Sequence, residues 1–143
     1  MRVILDTNVL MSALLSPAGA PAKLLDAWER RLFTLVACGT LVAEFLEVAG
    51  RAFFRAKLQP GTVELVAADL RDRSLFCRDL PAVQFTPDPK DGYLLALAEV
   101  SDADFLVTGD KELLAAATHM STRIITAAAM LHRLKDSNRP GVK

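Results

Sequence analysis

The chain has 143 residues, room for one domain around one core. Hydrophobic residues make up 52% of it and charged residues 24%, a balance that excludes an intrinsically disordered chain. The formal net charge is zero, so bulk attraction cannot hold a nucleic acid and any such face must be local.

Short apolar runs alternate with helical patterns, which predicts a parallel sheet with helices on both faces. The first strand covers about 2–6 and carries Arg2-Val3-Ile4-Leu5 into Asp6-Thr7-Asn8. Any one of those three polar residues would cap the helix expected at 8–15. Three together exceed that need, and ligands of open α/β sheets bind at the carboxyl edge, so Asp6 is a candidate site residue. Pro17, Gly19 and Pro21 punctuate the passage to a helix at 21–31, and a second strand follows at 32–37.

The helix predicted over 40–51 has Leu41, Val42, Phe45, Val48 and Ala49 as its apolar face. Glu47 points away from that face and can pair with Arg51. Glu44 lies on the flank, suited either to a boundary salt bridge or to bending toward the sheet edge. Just beyond, Arg51-Ala52-Phe53-Phe54-Arg55-Ala56-Lys57 holds basic and aromatic side chains and no acid. Arg51, Arg55 and Lys57 are candidates for phosphate contact, with the rings for unpaired bases. Phenylalanines packed in the core beside solvated cations are the plainer alternative.

Pro60-Gly61 opens a helix at 60–73, a strand follows at 75–78, and the proline-rich stretch 79–89 is the longest expected loop. Asp88-Pro89 starts a helix at 88–101. Asp91 falls in its first turn, where the helix dipole alone favours an acid. It also tops the stripe of Leu94, Leu95 and Ala98, where no basic residue shares its face. Asp88 is less well phased and is a candidate for an outer supporting position. The strand at 104–108 runs through Thr108-Gly109 to Asp110, which starts a helix at 110–116. Asp110 can cap that helix, and Gly109 is expected to allow a tight turn that aims its carboxylate over the sheet edge. A strand at 123–126 and a helix at 127–135 complete a single domain over 1–135, and 136–143 reads as a polar tail.

Cys38 and Cys77, in or beside apolar runs, are expected as buried free thiols of a reducing compartment. With only His119 and His132 as companions they offer no zinc-finger spacing. The chain opens on a strand without a signal-peptide pattern and has no apolar stretch that could span a bilayer, so a cytoplasmic protein without a membrane partner is expected.

An α/β fold that brings Asp6, Glu44, Asp91 and Asp110 together makes an acidic pit with no basic side chain inside it. At an effective dielectric near 20, each carboxylate pair about 5 Å apart repels by roughly 3 kcal/mol. Protons or divalent cations must offset this, and Mg²⁺ or Mn²⁺ with phosphate chemistry is the natural expectation.

The blocks Leu5-Asp6-Thr7-Asn8-Val9-Leu10, Glu44-Phe45-Leu46-Glu47-Val48, Asp88-Pro89-Lys90-Asp91 and Val107-Thr108-Gly109-Asp110-Lys111 resemble those of the PIN-domain nucleases, and most of all the toxin branch of toxin–antitoxin pairs akin to VapC. The resemblance implies a three-layer α/β/α fold on a five-stranded parallel sheet in the order 3-2-1-4-5. It implies RNA cleavage dependent on one or two Mg²⁺ or Mn²⁺ ions, with Asp6, Glu44, Asp91 and Asp110 as catalytic metal-binding acids and Asn8 and Thr108 as supporting polar positions. It also implies a homodimer and a cognate antitoxin. The turn Thr126-Ala127-Ala128-Ala129 lacks the proline often found there in this branch.

The expected chemistry is phosphodiester hydrolysis by a metal-activated water, with no histidine placed as a general base. A phosphatase with an aspartate nucleophile wants a second acid where Asn8 stands, and a receiver domain wants a lysine after the last strand. A catalytically inactive RNA- or partner-binding module of the same fold, and a nuclease of RNA processing that is not a toxin, stay open as alternatives.

Overall fold

Alternating apolar side chains divide the interior in two. The computed structural model describes residues 1–80 and 92–137. Its first strand, β1 (Arg2–Leu5), sends Val3 and Leu5 to one side of the sheet and Ile4 to the other. β2 (Thr34–Cys38) divides Leu35 from Val36 in the same way. β3 (Leu75–Cys77) lies at one edge, and β4 (Phe105–Val107) places Phe105 and Val107 on one side and Leu106 on the other. A two-residue strand β5 (Thr118–His119) and β6 (Thr122–Ile125) finish the sheet. Both faces of the central strands are covered, which is why β1 reads as one continuous apolar run.

Helices supply the two covers. On the first face pack α1 (Thr7–Leu15), α2 (Ala20–Glu29), α3 (Gly39–Ala49) and α5 (Thr62–Asp72), with the four-residue α4 (Ala52–Arg55) between the last two. On the other face lie α6 (Gly92–Ser101) and α7 (Lys111–Ala116), and α8 (Ala127–Ser137) returns to the first. The fold is three-layer α/β/α. No helix of the described residues is long and apolar enough to cross a membrane.

The strand order is β3-β2-β1-β4-β6-β5. The first five in that list are parallel, so the expected 3-2-1-4-5 order holds with β6 as the fifth parallel strand. The sheet is nevertheless mixed and six-stranded, because β5 pairs antiparallel with β6. The chain reverses there through Met120, at φ 52°, and enters β5 from Ala117, at φ 65°. The single helix expected over 40–51 ends at Ala49, and Gly50 and Arg51 separate it from α4.

What matters for function is the reversal point. β1 and β4 are neighbours that connect outward in opposite directions, with Leu5 paired to Val107. The Asp6 amide still donates to the Val107 carbonyl at 3.0 Å, so the ladder extends to the first acid. Ligands of doubly wound sheets bind at such a crevice.

Candidate active site

Asp6 ends β1 in an extended conformation and caps α1. One carboxylate oxygen, Oδ1, accepts from the Thr7 amide at 2.7 Å, and the other, Oδ2, accepts from the Thr108 hydroxyl at 2.7 Å. Thr108 Oγ1 in turn accepts from the Asp110 amide at 3.0 Å. Asp110 caps α7 with Oδ1 alone, which accepts from Glu112 N at 2.8 Å and Leu113 N at 3.1 Å. Asn8 ties the two strand ends together, its Oδ1 accepting from Gly109 N at 3.2 Å and its Nδ2 standing 3.4 Å from Asp6 Oδ2. A chain of short bonds thus fixes both aspartates to one spot at the carboxyl edge.

Gly109 plays a different part from the one expected. Its φ is not positive, and an added Cβ would meet Asn8 Oδ1 at 3.8 Å, an ordinary contact. The aim of Asp110 comes from its capping bonds and from Thr108, not from a turn that only glycine can make.

Asp6, Glu44 and Asp110 line one open cleft of about 700 Å³, together with Glu47, Arg51 and Tyr93. Asp6 is only 6% exposed, and Glu44 and Asp110 are half-buried. Burial pushes the Asp6 pKa up; the Thr108 and Thr7 bonds pull it down, and the charges of Glu44 and Asp110 raise it further. Burial also pushes the Tyr93 phenol up, aided by the Glu44 charge, so the hydroxyl keeps its proton.

Asp91 and Asp88 lie outside the described residues. The stripe that Asp91 was expected to top is buried as predicted, with Leu94, Leu95 and Ala98 all in the core. Thr108 is 1% exposed, behind Asp6 rather than in the cleft. Arg51 stands at the mouth, where it pairs with Glu47 at 3.2 Å; both side chains are mostly solvent-exposed. Arg55 lines a separate hollow with Leu58 and Pro60, and Lys57 sits 4.6 Å over the Phe53 ring. Of the three basic candidates, only Arg51 lines the acidic cleft. Phe54 also lines it, while Phe53 is 61% exposed.

Cys38 is buried and Cys77 half-buried; both are free, and they are register partners on β2 and β3. Among the described residues no group of three acids, histidines or cysteines stands close enough to cage a metal ion unaided.

Tyr93 and Glu47 are among the polar members of the cleft that sequence reasoning did not place there. Tyr93 is the polar residue that opens the apolar run of α6, a position where a hydroxyl signals a polar neighbour. Glu47 was read as a solvated partner of Arg51, and it is; helical phase could not tell that this side of α3 also borders the cleft.

The family model for the PIN domain matches residues 2–112 of the chain. No curated protein matches it.

Proposed function

The chain belongs to the PIN-domain family, a nuclease-type fold, and from that membership together with the acidic cleft we propose that it is a Mg²⁺- or Mn²⁺-dependent endoribonuclease. One observation carries the reading. Asp6 is almost fully buried between the charges of Glu44 and Asp110, and among the described residues no basic side chain pairs with any of the three. A buried carboxylate among like charges is costly unless a cation offsets it.

The donor set suits a hard cation. It is all oxygen, without histidine or cysteine, and Mg²⁺ commonly keeps several waters while taking only one or two carboxylates, so no complete protein cage is required. Asp6, Glu44 and Asp110 would hold one or two ions, with Asp91 joining them by its resemblance to the family's acidic set and Asp88 outside it. Bound there, the cation supplies Lewis-acid stabilisation of phosphoryl charge and a more acidic attacking water.

The chain's own residues do the rest. Thr108 and the Thr7 amide hold Asp6 in one rotamer, and the amides of α7 leave Asp110 Oδ2 outside the capping bonds. Arg51 and Phe54 offer a cation and a ring on the cleft wall, the pairing that suits phosphate and an unstacked base of single-stranded RNA. Arg55 and Lys57 would act farther along the strand, outside the cleft.

The same reading includes a toxin role, a cognate antitoxin and a homodimer. Growth arrest on expression of the wild-type chain, absent with Asp6→Asn, is the expected result for a toxin. For the nuclease itself, Mn²⁺-dependent cleavage of single-stranded RNA is expected from the wild type and not from Asp6→Asn; equal cleavage by both would overturn the assignment.

A further inference from the structure

Two buried hydroxyls in the cleft lack a formed hydrogen bond among the described residues. Thr7 Oγ1 and Tyr93 Oη are both sealed from solvent, and neither makes a hydrogen bond among the described residues. Thr7 is 4% exposed, and both side chains line the same cleft as Glu44. Such groups are seldom left unpaired, because the lost hydration is not recovered.

The carboxylates show the complementary deficit. Asp6 and Asp110 each accept two or more bonds from the protein, whereas the Glu44 carboxylate accepts none among the described residues. Glu44 and Thr7 are the close polar neighbours of the Tyr93 phenol, with Asp6 beyond. The unpaired Tyr93 hydroxyl thus stands between the unpaired Thr7 hydroxyl and a carboxylate that accepts no bond among the described residues.

We propose that Tyr93 is a positioning residue for Glu44: its hydroxyl donates to one Glu44 oxygen, Thr7 donates to Tyr93, and the relay closes when the other Glu44 oxygen takes up a divalent cation. This rests on the reading of the cleft as a metal site. Groups that orient a metal's ligands in this way commonly change metal affinity 10- to 100-fold when removed.

Mn²⁺ titration by calorimetry, with thermal unfolding of the metal-free protein alongside, tests it. Tyr93→Phe is expected to weaken Mn²⁺ binding about tenfold while leaving the metal-free melting temperature unchanged or raised, since an unpaired buried hydroxyl is removed. Thr7→Val is expected to weaken binding less, and Thr7→Ser to restore it. In a Glu44→Gln background Tyr93→Phe should have no further effect on binding. Undiminished Mn²⁺ affinity in Tyr93→Phe, or an equal loss with and without Glu44, overturns the relay and leaves the metal site standing. A wild-type chain that binds no Mn²⁺ overturns both.

Discussion

Thr108 does the work of two residues. Its hydroxyl donates to Asp6 and accepts from the Asp110 amide, so one buried oxygen couples acids that stand on different strands. Thr108→Val keeps the shape and strips out both bonds. Each buried group left unpaired costs about 1–3 kcal/mol, so urea unfolding should show a loss of at least about 1 kcal/mol, while Thr108→Ser stays close to wild type. An unchanged midpoint in Thr108→Val would show that the coupling carries no energy.

Asp6 gives a pH signature. Burial holds its folded pKa above the ordinary 3.8, so between those two values the folded protein binds more protons than the unfolded chain. The penalty for its charge is therefore full above the raised folded pKa, shrinks as pH falls through it, and is gone below the unfolded value. Asp6→Asn lacks this titration. In the absence of metal, its stability relative to wild type should be greatest at neutral pH and should decline on acidification toward pH 4. Unfolding by urea in chelator across that range checks it, and a constant difference would contradict it.

At the scale of elements, what the sequence made legible follows from how each signal is generated. Asp6 and Asp110 could be placed because each directly follows an apolar strand run, and a strand's end is written in its own residues. Topology then brings β1 beside β4 at the reversal point. β5 was not legible: two residues carry no alternation, and its pairing depends on left-handed backbone at Ala117 and Met120, residue types that give no hint of it. The short helix α4 was not expected, because four residues give too little pattern to read as an element of their own. The orphan hydroxyls of Thr7 and Tyr93 were out of reach for another reason, since a missing partner is a three-dimensional fact. Gly109 was over-read, because its φ is not positive and a Cβ there would meet Asn8 only at ordinary contact distance. Gly109→Ala should therefore be tolerated or gain up to about 1 kcal/mol from reduced unfolded-state entropy; a loss larger than that in thermal unfolding would restore the original expectation.

Over the whole molecule, a formal charge of zero sets how the proposed RNA substrate would be held. With no global field, salt dependence must report the few cations near the cleft, at about −0.7 in log–log slope for each single-strand phosphate neutralised. Arg51 is the one basic candidate on the cleft wall, and its bond to Glu47 is an exposed i,i+4 pair. Such pairs are worth only about 0.3–0.5 kcal/mol, so a phosphate can displace Glu47 at little cost. Arg51→Ala should weaken single-stranded RNA binding and flatten the slope by about 0.7. Arg55→Ala, in its separate hollow, should change both less. Glu47→Ala should act in the opposite sense, because it frees Arg51 and removes an anion from the mouth: tighter binding at low salt, converging on wild type as salt screens the difference. Fluorescence anisotropy without divalent metal, which prevents cleavage, measures all three. Weaker binding in Glu47→Ala, or equal effects at Arg51 and Arg55, would mean that the strand does not enter along the α3 wall.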